Sequence, residues 1–177
     1  VNEENLKQID AAIRDVHDFP KPGIVFKDIT PVLGNGDLFR LTTDSFAETL
    51  KGGEVSKVIG IDARGFIFGA ALADRIGAGF VPVRKKGKLP WETTGVAYSL
   101  EYGEAHVEIH KDAIKPGERV ILVDDLLATG GTAGAAIKLV KELGGEIVCM
   151  SFLIELAFLD GRKNLDSDVR VEALLTF

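Results

Sequence analysis

Cysteine is almost missing from this chain: Cys149 is the only one in 177 residues. A lone thiol excludes an internal disulfide framework and a cysteine-based zinc cluster. It sits in the apolar run Glu146-Ile-Val-Cys-Met-Ser-Phe-Leu-Ile154 and reads as a buried small hydrophobe. Long apolar stretches are missing too, since none approaches the roughly 20 residues of a membrane-spanning helix. The opening Val1-Asn-Glu-Glu-Asn-Leu-Lys7 lacks the pattern of a secretory signal. There is no excess of positive charge. Lys and Arg number 21 against 27 Asp and Glu, a formal net charge of −6, whereas nucleic-acid binders carry a basic stripe. No internal repeat, low-complexity tract or Pro/Gly-rich linker divides the sequence. The expectation is one domain over residues 1–177, cytoplasmic, with no nucleic-acid and no membrane partner. At 46% hydrophobic and 27% charged residues, the chain can build one sizeable core.

What is present is alternation. Leu6, Ile9, Ala12, Ile13 and Val16 fall at helical spacing, which predicts a helix over residues 4–16. Pro20 and Pro22 break that pattern, and residues 23–30 read as irregular. Asp37 is placed to cap a helix running to about Lys51, before Gly52-Gly53. Residues 55–61 read as a buried strand, 65–75 as a helix, 79–84 as a second strand and 85–94 as a basic loop. Residues 96–100 and 105–110 read as a β-hairpin turning at Tyr102-Gly103. A strand over 119–123, a helix over 133–143, a strand over 146–155 and an edge strand over 169–176 complete the series. Apolar strands alternating with helices imply an α/β fold with a central, mainly parallel twisted sheet flanked by helices. Ligands in such folds bind beyond the C-terminal ends of strands. That rule points to Asp62-Ala-Arg-Gly65, to the run from Arg84 to Lys88, and to the run from Asp124 to Thr132.

The last of these carries the most chemistry. Val120-Ile-Leu-Val-Asp-Asp-Leu-Leu-Ala-Thr-Gly-Gly-Thr132 joins a strand to a helix through a turn of small residues. Gly130 and Gly131 allow positive φ and a close approach of the backbone. The amides of this turn and the helix N-terminus form an anion nest, with Thr129 and Thr132 adding hydroxyl donors. Asp124 and Asp125 would repel a phosphate, but they accept hydrogen bonds, and a vicinal diol offers two donors. A phosphate nest beside two acceptors suits a sugar 5-phosphate with magnesium nearby. Two adjacent aspartates alone would more simply end a strand; the attached Ala-Thr-Gly-Gly-Thr decides for the site. Neither a Gly-x-x-x-x-Gly-Lys-[Ser/Thr] P-loop nor a Gly-x-Gly-x-x-Gly run after a strand competes with it.

In its order of hydrophobic strand, acid pair and Thr-Gly-Gly-Thr, this segment resembles the signature of type I phosphoribosyltransferases. Their loop holds the 5-phosphate of phosphoribosyl pyrophosphate (PRPP), and their acid pair contacts the ribose. Phe19-Pro-Lys-Pro-Gly-Ile-Val-Phe-Lys-Asp-Ile-Thr-Pro31, Asp62-Ala-Arg-Gly-Phe-Ile-Phe-Gly69, Val83-Arg-Lys-Lys-Gly-Lys-Leu-Pro90 and Ser99-Leu-Glu-Tyr-Gly103 are similar to stretches of adenine phosphoribosyltransferases. They spread the resemblance over roughly residues 5–165. It implies a single-domain type I phosphoribosyltransferase fold. Residues 1–33 would form an N-terminal helix and base-contacting segment, and residues 95–110 a hairpin hood. It further implies transfer of the 5-phosphoribosyl group from PRPP to N9 of adenine, giving AMP and pyrophosphate through an oxocarbenium-like displacement, in a homodimer.

Carried over residue by residue, the resemblance assigns the 5-phosphate to Ala128, Thr129, Gly130, Gly131 and Thr132, and the ribose to Asp124 and Asp125. Pyrophosphate falls to Asp62, Ala63, Arg64, Arg84 and Lys88; adenine to Val25, Phe26, Arg64 and Leu156. Glu101 becomes a proton acceptor or shuttle, Tyr102 closes over the site, and Arg64 joins them as catalytic. Magnesium (Mg2+) is expected mainly through PRPP, with Asp124 or Asp125 as the protein's contribution. Without the family, Arg64 reads equally as a surface ion-pair partner, Phe26 as core and Glu101 as a solvated hairpin residue. Arg84, Lys85, Lys86 and Lys88 are the only dense basic run in an acidic chain, and a leaving pyrophosphate needs such charge. His106, Glu108 and His110 could hold a metal. Val107 and Ile109 take the apolar face of that strand, however, which leaves those three the polar, solvent side. A 6-oxopurine wants a donor, often lysine, and none stands beside Glu155.

Overall fold

The computed structural model describes residues 2–99 and 103–177. Helix α1 (Glu3–Ala12) starts at Asn2, whose side chain accepts from the Glu4 amide, and it buries Ile9. The predicted continuation to Val16 is not there. Instead β1 (Arg14–His17) pairs antiparallel with β2 (Val25–Asp28), a strand in the stretch expected to be irregular. Val16 stands opposite Phe26, and the Lys27 ammonium lies 2.7 Å from the Asp15 carboxylate. Cross-strand partners supplied from beyond the two prolines outweigh the local helical spacing. Helix α2 (Thr30–Leu33) is one turn. Helix α3 (Gly36–Thr49) is capped by Asn35 rather than Asp37: the Asn35 side chain accepts from the amides of Asp37 and Leu38.

The main sheet is built from β3 (Lys57–Ile61), β4 (Gly79–Lys85), β5 (Thr93–Ser99), β6 (Glu104–His110), β7 (Arg119–Leu127), β8 (Glu146–Glu155) and β9 (Val171–Thr176). Helix α4 (Gly65–Ile76) connects β3 to β4, and α5 (Gly131–Glu142) connects β7 to β8. The strand order is β5-β6-β4-β3-β7-β8-β9, with the pairs from β4 to β9 parallel and the β5/β6 hairpin joined antiparallel to β4. The hairpin sits where expected; Glu101 and Tyr102, at its predicted turn, lie outside the described residues. Strand β7 runs four residues past its predicted end at Val123, because β8 supplies partners as far as Leu126 opposite Ile154 and Leu127 opposite Glu155. The basic loop starts one residue later than expected and ends at Glu92, since Lys85 closes β4 and Thr93 opens β5.

Both faces of the sheet are covered, which is why its strands read as unbroken apolar runs. On one side Ile59, Leu122 and Met150 pack with Ala136 and Leu139 of α5. On the other, Val58, Ile121 and Val123 pack with Phe46 of α3 and Phe68 of α4. Cys149 is wholly buried in this second cluster, and its thiol lies 3.4 Å from the Ser151 hydroxyl, which is itself 2.7 Å from the Thr49 hydroxyl. Among the described residues no helix is long and apolar enough to cross a membrane.

Candidate active site

Strand β3 is hydrogen-bonded to β4 on one side and β7 on the other. The C-terminal ends of the three strands are therefore neighbours, and the three loops singled out in the sequence meet there.

At the end of β7 the chain turns through Ala128 and Thr129 into α5. Gly130 is the N-cap of that helix with φ +82°, a region that favours glycine. A side chain is excluded there for a second reason: a Cβ would lie 2.2 Å from the carbonyl oxygen of Gly161. Among the described residues no side chain caps α5, which leaves its first amides without a side-chain acceptor at the cap. Asp124 and residues 126–133 line a hollow in front of them. All five residues assigned to the 5-phosphate stand on its wall. The Thr132 hydroxyl donates to the Tyr98 phenol oxygen at 3.0 Å, which ties the loop 128–132 to the hairpin strand β5.

The acid pair lies inside β7 rather than at its tip. Asp124 lines the hollow, and one of its carboxylate oxygens accepts from the Asp125 amide at 2.9 Å. Asp125 is 6% exposed, and its carboxylate is 2.9 Å from Nε of Arg64. Burial raises the pKa of both acids above the usual carboxylate range. Asp124 is raised further because the Asp125 charge adds to burial, while on Asp125 the Arg64 charge opposes it. The helix lies close against the pair: a Cβ on Gly65 would meet an Asp124 carboxylate oxygen at 2.8 Å.

Arg64 stands at the N-terminus of α4 and reaches in two directions. Besides Asp125, its guanidinium lies 5.6 Å from the ring centroid of Phe26 in β2. Phe26 also packs edge-to-face on Phe19, with centroids 5.3 Å apart. Val25 beside it is 42% exposed, open to a ligand. Leu156, directly after β8, donates its amide to the Leu127 carbonyl at 2.9 Å. Phe177 brings β2 toward this strand end: its amide donates to the Glu155 carbonyl at 2.9 Å, and the Lys27 ammonium lies 3.9 Å above its ring.

On the β3–β4 side, Asp62 donates its amide to the Val83 carbonyl at 2.9 Å, and its carboxylate accepts from Arg84 Nε at 3.1 Å. Arg84 also donates to the Lys88 carbonyl at 3.2 Å and lies 5.7 Å from the Phe66 ring. Asp62 thus orients Arg84, and the basic turn is pinned through the Gly87 amide, which donates to Glu108 at 3.0 Å. Lys85, Lys86 and Lys88 are exposed. That use of Glu108 takes it out of the His-x-Glu-x-His pattern, and His106 faces Glu104 at 3.5 Å. Tyr98, Phe177 and Asn164, whose side-chain amide donates to the Thr129 carbonyl at 2.7 Å, enter the site region with no motif to announce them, and nothing local in the sequence could have found them.

The chain as a whole is similar to known proteins. Residues 38–171 match the family model of the phosphoribosyl transferase domain. An adenine phosphoribosyltransferase from Anaeromyxobacter dehalogenans (strain 2CP-1) is 59% identical over 172 residues, covering 97% of this chain and 99% of that one. The crystal structure of adenine phosphoribosyltransferase from Rhodothermus marinus matches with a TM-score of 0.94 at 53% identity, over 99% of this chain and 100% of that one. The Saccharomyces cerevisiae enzyme, solved with adenine and an imino-altritol bisphosphate, matches with a TM-score of 0.93 at 40% identity, over 98% and 99% of the two chains.

Proposed function

The chain belongs to the adenine phosphoribosyltransferase family, and from that premise we propose that it converts adenine and PRPP to AMP and pyrophosphate, a purine-salvage reaction, as a cytoplasmic homodimer. The observation that carries the reading is one continuous line of contacts. Asp124 lines the phosphate hollow, Asp125 follows it, Arg64 holds Asp125, and Phe26 lies under Arg64. A phosphate subsite, a pair of diol acceptors and an aromatic wall stand in the order in which a nucleoside monophosphate presents phosphate, ribose and base.

In this reading the 5-phosphate accepts from the amides of the turn 128–131 and from the Thr129 hydroxyl, with the Thr132 hydroxyl joining only when it turns away from Tyr98. The ribose hydroxyls meet Asp124 and Asp125. The loop amides at Ala63 and Arg64, with Arg84 and Lys88, face the pyrophosphate. As the bond from C1 to the pyrophosphate oxygen breaks, its electron pair leaves with pyrophosphate and positive charge grows on C1 and the ring oxygen. Adenine N9 supplies the pair for the new bond, held between Val25, Phe26 and Leu156. The proton displaced from the purine goes to Glu101, and Tyr102 closes the site against water. Positioning and fixed charge do most of the work, and no covalent enzyme intermediate is needed.

Magnesium fits the residues present. Magnesium is commonly held by one or two carboxylates plus substrate phosphates and water, and the Asp124 carboxylate lines the hollow beside Asp125. Asp124 or Asp125 would be the protein's share, and the ion would neutralise charge on the pyrophosphate. The decisive assay is pyrophosphate release with PRPP, magnesium and each purine base in turn. Turnover with adenine is expected; turnover with guanine or hypoxanthine and none with adenine would overturn the assignment.

A further inference from the structure

Behind the phosphate loop lies a segment that none of the motifs includes, the 3-10 turn Gly161–Asn164. On one side it touches the loop backbone to backbone. A Cβ on Gly161 would lie 2.1 Å from the Ala128 carbonyl oxygen and 3.2 Å from the Gly130 nitrogen, and one on Gly134 would lie 2.7 Å from the Asn164 carbonyl oxygen. Asn164 adds a directed contact, its side-chain amide donating to the Thr129 carbonyl at 2.7 Å. In a trans peptide the carbonyl and the following N–H point opposite ways. Holding the Thr129 oxygen from behind therefore directs the Gly130 N–H away from Asn164, toward the front of the loop.

On its other side the same turn grips the end of β8. Arg162 sets its planar fork on Glu155, with Nε and Nη2 each 2.7 Å from a carboxylate oxygen, and Nη1 donates to the Val171 carbonyl at 3.0 Å. Glu155 is buried, at 8% exposure, so this two-point contact is fixed in place. The next residue is Leu156, assigned to the base. One turn thus contacts the phosphate loop and the base-side strand end at once.

We propose that Gly161, Arg162 and Asn164 form a brace that holds the phosphate subsite and the base subsite at a set separation. They act as positioning residues rather than ligands. The proposal rests on the subsite assignment made above. A ligand carrying phosphate and purine on one ribose gains from both subsites together only while their separation is held. A ligand with the phosphate alone does not need that separation.

Calorimetric titration with AMP and with ribose 5-phosphate separates the two cases. In Arg162→Lys, which disturbs only the base side of the brace, AMP affinity should fall about tenfold while ribose 5-phosphate affinity stays within about twofold. In Asn164→Ala, AMP should weaken about threefold or more, and ribose 5-phosphate by a smaller factor. Gly161→Ala should do both more strongly; if it fails to fold, the other two variants decide. Equal losses for the two ligands in every variant, or no loss in any, would overturn the brace. Wild-type protein that binds ribose 5-phosphate but not AMP would instead remove the base subsite, and with it both the functional reading and the brace.

Discussion

The guanidinium of Arg64 is held by Asp125, with Nε 2.9 Å from a carboxylate oxygen of a side chain only 8% exposed. The contact joins the first turn of α4 to the inside of β7, so the loop 62–65 and the acid pair share one ion pair. Because the arginine also lies over Phe26, its position is set from three elements.

Arg64→Lys keeps the charge but loses the planar fork that can meet a carboxylate and a ring together. We expect kcat/KM to fall about tenfold to a hundredfold, and a comparable loss in Asp125→Asn. Steady-state kinetics on the double variant Arg64→Lys/Asp125→Asn should show far less than the product of the two losses, because they break the same contact. Independent, multiplying losses would place the two residues in separate roles.

Gly65 leaves no room for a side chain beside Asp124. A Cβ there would lie 2.8 Å from an Asp124 carboxylate oxygen and 2.8 Å from the Val123 carbonyl oxygen. Gly65→Ala should displace the carboxylate from the hollow and raise the KM for PRPP about tenfold or more, with a smaller change for adenine. A KM that rises equally for both substrates would show a general distortion instead.

Asp124 carries a stability cost with a defined pH dependence. Burial and the Asp125 charge hold its proton more tightly in the folded chain than in the unfolded one. Its contribution to stability is therefore complete below the ordinary carboxylate value of 3.8 and is lost as pH rises through the higher folded value. Asp124→Asn keeps an oxygen for the Asp125 amide and cannot ionise. Urea unfolding should find it close to wild type near about pH 4 and more stable at about pH 8, while its KM for PRPP rises. A wild type that remains the more stable at the higher pH would contradict the buried-carboxyl account.

Tyr98→Phe removes the oxygen that Thr132 donates to and leaves the ring in place. Losing that bond should cost about 1 kcal/mol, or about 2–4 °C in melting temperature for a protein of this size. The released Thr132 hydroxyl can turn to a phosphate, so the KM for PRPP should not rise. An unchanged melting temperature, or a tenfold higher KM, would contradict this.

The strand–turn–helix segment and its hollow were legible in the sequence because their chemistry is local: glycines that permit the turn, threonines that donate and acids that accept all lie within nine consecutive residues, 124–132. The alternation of buried strands and helices was legible for a similar reason. What escaped depends on partners far along the chain. Val16 looked helical until Phe26 paired with it, and β7 looked finished at Val123 until Ile154 lay opposite Leu126. Asn35 displaced Asp37 as a cap through a backbone conformation that composition does not reveal. Tyr98 meets Thr132 across 34 positions and Asn164 meets Thr129 across 35, and no spacing rule connects them.

The placement of Cys149 makes the protein its own reporter of unfolding. The side chain has no solvent exposure, and burial pushes its thiol pKa up, so little reactive thiolate forms in the folded state. With one cysteine in the whole sequence, the rate at which a thiol reagent consumes the protein counts openings of the β8 core and nothing else. Ligands that close the site should slow that rate by stabilising the folded state, which gives a binding assay that needs neither a label nor turnover.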